Sequence, residues 1–421
     1  MFERPDSGER ALLVHLNLQD FQEDIQELIE LAKSAGTDPV CIISGSRKSP
    51  DAKYFVGTGK LEEIKAAIVA NQVDIVLFNH ALSPSQERNI ETFLGVRVVD
   101  RNGLILDIFA QRAQTFEGRL QVELAQLKHL STRLIRGWTH LERQKGGIGL
   151  RGPGETQLET DRRLIGVRIK QIQKRLEKVD KQRHQGRSKR QKAEVPSIAL
   201  VGYTNAGKST LFNNLTGSQG YVADQLFATL DPTLRNCPLP NNTDSVLADT
   251  VGFIRHLPHE LVAAFKSTLQ ETATADLLLH VIDAHSEDKN TYITEVERVL
   301  AEIGADKIKC IQVFNKIDLL PGNRPRIDRD DQGNAQRVWL SAETGQGVEL
   351  LFTVLTEQFA NSKTKKKCYL RSDQGHIRSK LFTCAKIIDE HIDDSGGSDL
   401  IIEIDNKHLG LLSTIHSEEY A

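Results

Sequence analysis

Gly202, Tyr203, Thr204, Asn205, Ala206, Gly207, Lys208 and Ser209 run consecutively as G-x-x-x-x-G-K-[ST]. Glycines at this spacing let backbone N–H groups turn inward around phosphate oxygens, and a helix opening directly afterwards adds the positive end of its dipole. Lys208 supplies a point charge for β- and γ-phosphates, and the Ser209 hydroxyl is placed for Mg2+. The flanks are the ones this chemistry needs. Ile198-Ala-Leu-Val201 reads as a strand, and Thr210-Leu-Phe-Asn-Asn-Leu215 has a helical pattern.

Further boxes choose the nucleotide. Asp249, Thr250, Val251 and Gly252 end a strand candidate. A carboxylate there can hold Mg2+ through water, and the Gly252 N–H can sense a γ-phosphate. Asn315, Lys316, Ile317 and Asp318 end another strand candidate. A carboxylate in that box accepts from guanine N1–H and the N2 amine together, whereas adenine presents an acceptor at N1 and no N2 amine. Ser341, Ala342 and Glu343 follow the next strand, where their backbone can reach guanine O6. The loop ahead of Asp249 contains Phe227, Ala228, Thr229, Leu230 and Asp231. It should supply a switch threonine, and of Thr229 and Thr233 the first is favoured for Mg2+ and γ-phosphate. GTP or GDP with Mg2+ is the expected cargo. The order and spacing of these boxes resemble the translation-factor-related GTPases over residues 195–362.

The elements that must hold these groups are readable in outline. Residues 1–102 alternate apolar runs (Ala11–Leu16, Val40–Ile43, Ile75–Phe78, Val96–Val99) with helical spacing at Phe21, Ile25, Leu28, Ile29 and Ala32. This is a βαβ pattern, hence a small parallel α/β subdomain. From Gly103 the pattern turns helical. Leu120, Leu124, Leu127 and Leu134 suit one helix, and Ile165, Ile169, Ile172, Leu176 and Val179 form an a/d seam on another. The glycine-rich tract 146–154 separates them, so residues 103–194 are expected to form a basic antiparallel helical hairpin with a flexible tip, ending in a polar linker from Lys181 to Glu194. Residues 195–362 read as a P-loop GTPase domain, with strands at 197–201, 246–248, 277–283, 309–314 and 337–340. Residues 363–421 suggest a small α+β domain of order β-α-β-β-α, with Asp393–Gly397 turning a hairpin. The whole is a multidomain α/β chain.

The 421 residues carry a formal charge of only -3, but residues 119–192 hold 20 Lys and Arg against 7 Asp and Glu. A local excess of thirteen positive charges points to nucleic acid or another anionic surface; a solvated helical face is the plainer reading. Five scattered cysteines without C-x-x-C argue against a disulfide framework or structural zinc and fit a reducing, cytoplasmic setting. No 18-residue apolar window offers a membrane span, and the polar start lacks the apolar region of a secretory signal. A monomer is expected. The histidines show no metal-ligand spacing.

Several tracts narrow the likeness. Phe227-Ala-Thr-Leu-Asp-Pro-Thr233, Asp249-Thr-Val-Gly-Phe-Ile-Arg-His-Leu-Pro258 and Gly146–Gln157 resemble the HflX family, as do Arg101–Ala110, Gln121–Ala125 and Gly137–Glu142. The resemblance implies a ribosome-associated GTPase that binds the large ribosomal subunit and is linked to splitting or rescuing stalled ribosomes under stress such as heat. It also implies that the glycine-rich tip touches ribosomal RNA. Arg143, Lys145, Gly146, Gly147, Gly149, Arg151 and Gly152 are the expected RNA contacts, by shape and phosphate recognition rather than base reading. Some relatives are described as having ATPase or RNA-unwinding activity in the N-terminal region.

One departure stands out. Many small GTPases place a water-orienting glutamine directly after D-x-x-G. Here Phe253 occupies that place, so no catalytic residue is assigned and help must come from a partner, a moved loop or a cation. Arg255 and His256 read most simply as exposed loop residues. Asn205 lies where potassium-activated relatives use an asparagine ligand, which suggests K+; a loop-stabilising hydrogen bond is the alternative. Val56-Gly-Thr-Gly-Lys60 imitates part of a phosphate loop but reads as a turn opening a helix. Two other classes of function remain at this point. One is an RNA-remodelling ATPase acting through the N-terminal half, against which the Asn315–Asp318 box speaks. The other is a signalling GTPase acting on a protein partner, against which the basic hairpin speaks.

Overall fold

The computed structural model describes residues 8–18, 24–137, 153–192, 195–218, 226–230, 233–240, 244–255, 266–360, 363–371, 374–392, 396–405, 411–412 and 415–419. The N-terminal region runs β1 (Arg10–Leu18), α1 (Ile25–Ser34), β2 (Asp38–Arg47), α2 (Thr58–Asn71), β3 (Ile75–Phe78), α3 (Pro84–Leu94) and β4 (Arg97–Asp100). All four strands are parallel, in the order β2-β1-β3-β4. Helices cover both faces, which is why β1 and β3 are continuous apolar runs rather than alternating ones. Start signals act locally. Ser83 and Gln86 form a capping box ahead of Pro84, and Asp100 caps α4 (Arg101–Arg112) through the Gly103 N–H.

α5 (Phe116–Gly137) and α6 (Pro153–Lys192) pack antiparallel. Leu120, Leu124 and Ile172 are buried in their seam, flanked by Leu127, Ile169 and Leu176. Arg183 pairs with Glu117, and Arg168 with Glu123, so α6 descends as α5 rises. The expected linker from Lys181 to Glu194 is a correction: α6 stays helical to Lys192. That stretch has no apolar period to signal a helix, yet its Lys, Arg and Gln residues are good helix formers. The tip residues Arg143, Lys145, Gly146, Gly147, Gly149, Arg151 and Gly152 lie outside the described residues.

The next region contains β5 (Ser197–Val201), α7 (Lys208–Thr216), β6 (Thr233–Asn236), β7 (Val246–Asp249), α8 (Lys266–Ala273), β8 (Leu277–Asp283), α9 (Lys289–Glu302), β9 (Cys310–Asn315), β10 (Arg326–Arg329), β11 (Ala335–Trp339) and α10 (Val348–Ala360). Its sheet order is β10-β11-β9-β8-β5-β7-β6, parallel except for the two edge strands. Those edges, β6 and β10, are absent from the sequence-based outline. Both are short and lack an apolar run to announce them. The C-terminal region comprises β12 (Lys363–Leu370), α11 (Gly375–Cys384), β13 (Ala385–Ile392), β14 (Ser398–Asp405) and β15 (His416–Glu419) in an antiparallel sheet. Between β14 and β15 only Leu411, Leu412 and Ile415 are described, the first two in a helical turn, so the expected closing helix lies largely outside the described residues, and β15 is an addition to the expected order. β15 pairs antiparallel with β12, in the register Lys366 with Glu419 and Lys367 with Glu418.

Candidate active site

The strand ends of the central sheet bring the four boxes to one edge. A cavity of about 320 Å³ is lined by Thr204, Asn205, Gly207, Lys208, Ser209, Thr210, Phe227, Ala228, Thr229, Thr250, Gly252, Lys316 and Glu343. The two motif glycines are required sterically as well as for their left-handed backbone. A Cβ on Gly202 (φ 150°) would strike the Val281 carbonyl, and one on Gly207 (φ 89°) would strike the Asn315 amide. Asn315 is a bracket. Its Nδ2 donates to the Ala206 carbonyl at 2.9 Å, and its Oδ1 accepts from the Ala342 N–H at 2.8 Å. The same side chain thereby fixes the phosphate loop and the Ser341–Glu343 loop. Asn214 donates to the Ala342 carbonyl, so that peptide is committed on both sides. Ile317 is buried beneath the box, whereas the Asp318 and Glu343 side chains are exposed.

At the phosphate end, Ser209 Oγ and Thr229 Oγ1 stand 2.8 Å apart, and both donate to Asp249 Oδ2, at 2.9 and 2.7 Å. Thr233 instead lies in the β6–β7 ladder opposite Asp249. Asp249 is buried, and its Oδ1 has no hydrogen-bond partner among the described residues. Two hydroxyls and one carboxylate, whose Oδ1 has no partner among the described residues, suit a hard divalent cation in so small a space, so these residues fit Mg2+. Burial raises the Asp249 carboxyl's pKa, opposed by hydrogen bonds from Thr229 and Ser209 and by the charge on Lys208. Burial pushes Lys208 down to about 8, with Asp249 opposing and Lys316 adding to the shift. Its Nζ donates to the Tyr203 carbonyl at 2.6 Å. Lys316, at φ 63°, pairs with Asp283 at 2.8 Å.

Phe253 is buried among apolar side chains and offers no polar group to a water molecule. Its backbone is annealed to the phosphate loop: its N–H donates to the Gly202 carbonyl at 3.1 Å and its carbonyl accepts from Thr204 at 2.8 Å. Gly252 sits so close that a Cβ would approach Thr204 Cγ2 to 2.8 Å and Lys208 Nζ to 3.1 Å. Asp231 and His256 lie outside the described residues. Val56 and Gly57 lead into α2 at Thr58, where Lys60 is engaged by the Ser44 carbonyl and Glu63.

The sequence reading missed how closely the N-terminal region grips this site. Leu28, Leu31, Ile105 and Phe109 share one buried cluster with Leu226, Phe227, Leu230 and Phe253. Phe109 and Phe227 meet edge to face at 4.6 Å, and Ser34 Oγ accepts from the Leu226 N–H at 3.1 Å. Tyr203, inside the phosphate loop, turns its hydroxyl to Glu27. Burial and the Glu27 carboxylate raise its pKa far above the ordinary tyrosine value. A tyrosine in the second position of the motif was the available signal; nothing local named its partner.

Comparison with known proteins decides the family. Residues 22–110 match GTP-binding GTPase N-terminal, 112–190 match GTP-binding GTPase Middle Region, and 197–316 match 50S ribosome-binding GTPase. Over 406 residues the chain is 58% identical to the GTPase HflX of Escherichia coli strain K12, covering 96% of this chain and 95% of that one. The chain belongs to the HflX family. It is also 45% identical over 397 residues to the GTPase HflX of Caldanaerobacter subterraneus subsp. tengcongensis, covering 94% and 91%. A GTP-binding protein from Sulfolobus solfataricus, solved in complex with GDP, is similar at 27% identity and a TM-score of 0.45, covering 83% of this chain and 98% of that one. As an HflX-family member with a P-loop GTPase domain, the chain hydrolyses GTP. Among the described residues no helix is long and apolar enough to cross a membrane.

Proposed function

We propose that this HflX-family GTPase associates with the large ribosomal subunit in its GTP form in the cytoplasm and couples hydrolysis to splitting or rescue of ribosomes under stress. The observation that carries the reading is the cavity itself. It joins the phosphate loop, Thr229, Gly252, Lys316 and Glu343 in one space, so the loop bearing Thr229 is positioned to report the γ-phosphate. Gly202 to Ser209 cradle the phosphates, Asp318 reads guanine, and Ala342 and Glu343 border the base. Ser209 and Thr229 hold Mg2+, with Asp249 behind them; the ion supplies positive charge against the phosphate oxygens. Asn205, at φ 59° and exposed, is free to take K+ beside the phosphates. Phe253 cannot orient the attacking water, so intrinsic hydrolysis is slow and the ribosome supplies what is missing.

The basic helix pair supports the ribosomal partner. Arg162, Arg163, Lys170, Lys174, Arg175, Lys178 and Lys181 are all exposed on α6, an array that binds phosphate backbones by counterion release. The tip from Arg143 to Gly152 then contacts ribosomal RNA at close range. Co-sedimentation with large ribosomal subunits tests the reading. Pelleting should be strong with a non-hydrolysable GTP analogue, weak with GDP, and should fall as salt rises. Pelleting that ignores the nucleotide would overturn it.

A further inference from the structure

Tyr203 departs from the phosphate loop's usual task. Its ring stacks on Tyr292 of α9 with centroids 4.0 Å apart. Its hydroxyl donates to one oxygen of Glu27, on α1, and accepts from the Arg255 backbone N–H at 2.9 Å. The other oxygen of Glu27 accepts from Arg101, at the start of α4. Arg101 also donates to the Arg255 carbonyl at 3.2 Å and to Asn79 at 2.9 Å. Both backbone polar groups of Arg255 are therefore held, one by Tyr203 and the other by Arg101. Arg255 follows Gly252 by three residues, and the intervening Phe253 is already bonded to the phosphate loop.

Glu27 and Arg101 are 6% and 2% exposed. A buried ion pair costs desolvation that its own attraction barely offsets, and an apolar pair would often hold two domains together as well. What charges with fixed hydrogen-bond directions add is geometry. Here that geometry converges on the backbone leaving Gly252.

We propose that Glu27, Arg101 and Tyr203 are positioning residues for GTP hydrolysis: through the Arg255 backbone they hold the Gly252 N–H at the γ-phosphate end of the cavity, so the N-terminal region is a working part of the switch. The proposal rests on the assignment of Gly252 to the γ-phosphate. It does not require the ribosome. GDP lacks the γ-phosphate, so its affinity is indifferent to Glu27 and Arg101, which lie outside the phosphate loop. A GTP analogue and the hydrolytic step both depend on this network.

The test uses the full chain with Tyr203→Phe, which keeps the ring stacked on Tyr292, and with Arg101→Lys, which keeps the charge but loses the fork. Kd for GDP, Kd for a non-hydrolysable GTP analogue, and kcat and KM for GTP are measured, with Tm alongside. Loss of a hydrogen bond to a charged group predicts analogue affinity and kcat reduced about tenfold in both variants, with GDP affinity within about twofold in Arg101→Lys, whose side chain lies outside the phosphate loop. Equal losses for GDP and analogue with unchanged kcat would mean that the network only supports the fold, and the proposal is overturned. Unchanged values for both variants overturn it too. If Tyr203→Phe does not fold, Arg101→Lys and Glu27→Gln carry the test. A wild-type chain that does not prefer guanine over adenine nucleotides would instead sink the assignment of the pocket.

Discussion

Thr229 Oγ1 donates to Asp249 Oδ2 at 2.7 Å, closing the loop that carries Thr229 onto the end of β7. Replacing Thr229 by Ala removes this clasp and one of the two hydroxyls fit for Mg2+. GTP-analogue affinity is expected to fall about tenfold, with GDP affected about twofold at most. Fluorescent-nucleotide titration in Mg2+ reads both. Equal losses would remove Thr229 from the γ-phosphate.

Asp318→Asn exchanges an acceptor for a mixed amide. With Asp318 reading guanine as proposed, two charge-assisted hydrogen bonds would be lost, which predicts a GTP affinity down by about 100-fold. Xanthine carries a carbonyl in place of the N2 amine, so the amide should improve binding of the xanthosine nucleotide. Competition titration with GDP and xanthosine diphosphate checks the swap, and a variant that keeps its guanine preference contradicts it.

Lys208 must be charged to hold phosphate, yet burial first, opposed by Asp249, brings it down to about 8 without nucleotide. GDP binding above that pH requires proton uptake. Affinity should stay nearly flat from pH 7 to 8 and fall up to about tenfold by pH 9. The sign for stability is opposite. From about 8 to the ordinary 10.5, the unfolded chain binds more protons than the folded one, so this group stabilises the nucleotide-free fold as pH rises through that window. GDP titrations at the three pH values settle the first part, and thermal unfolding from pH 8 to 10 settles the second.

Hydrolysis at equal ionic strength should run faster in KCl than in NaCl if Asn205 holds a potassium ion that adds positive charge near the transferring phosphoryl group. Asn205→Ala should erase most of the difference. Equal initial rates in the two salts would discard the role.

How far the sequence reached follows from the range of each interaction. Gly202–Ser209, Asp249–Gly252 and Asn315–Asp318 are local patterns between apolar strands, and the strands at β5, β8 and β9 could be read from continuous apolar runs. β10, with the sequence Arg-Ile-Asp-Arg, exists because β11 offers it an edge, and nothing in its four residues says so. The helix through Lys192 was hidden because a solvated charged helix has no apolar stripe. Glu27, Arg101 and Tyr203 come from three distant points of the chain. Their meeting depends on the docking of two α/β units, which no local spacing encodes.

The most direct measurement is the steady-state GTPase rate of the full chain with and without isolated large ribosomal subunits. If Phe253 leaves the attacking water without an orienting side chain and the basic helices bind ribosomal RNA, as proposed, the rate should rise well above the intrinsic one, with the stimulation shrinking as salt is raised. A rate that is the same with subunits present would contradict the account.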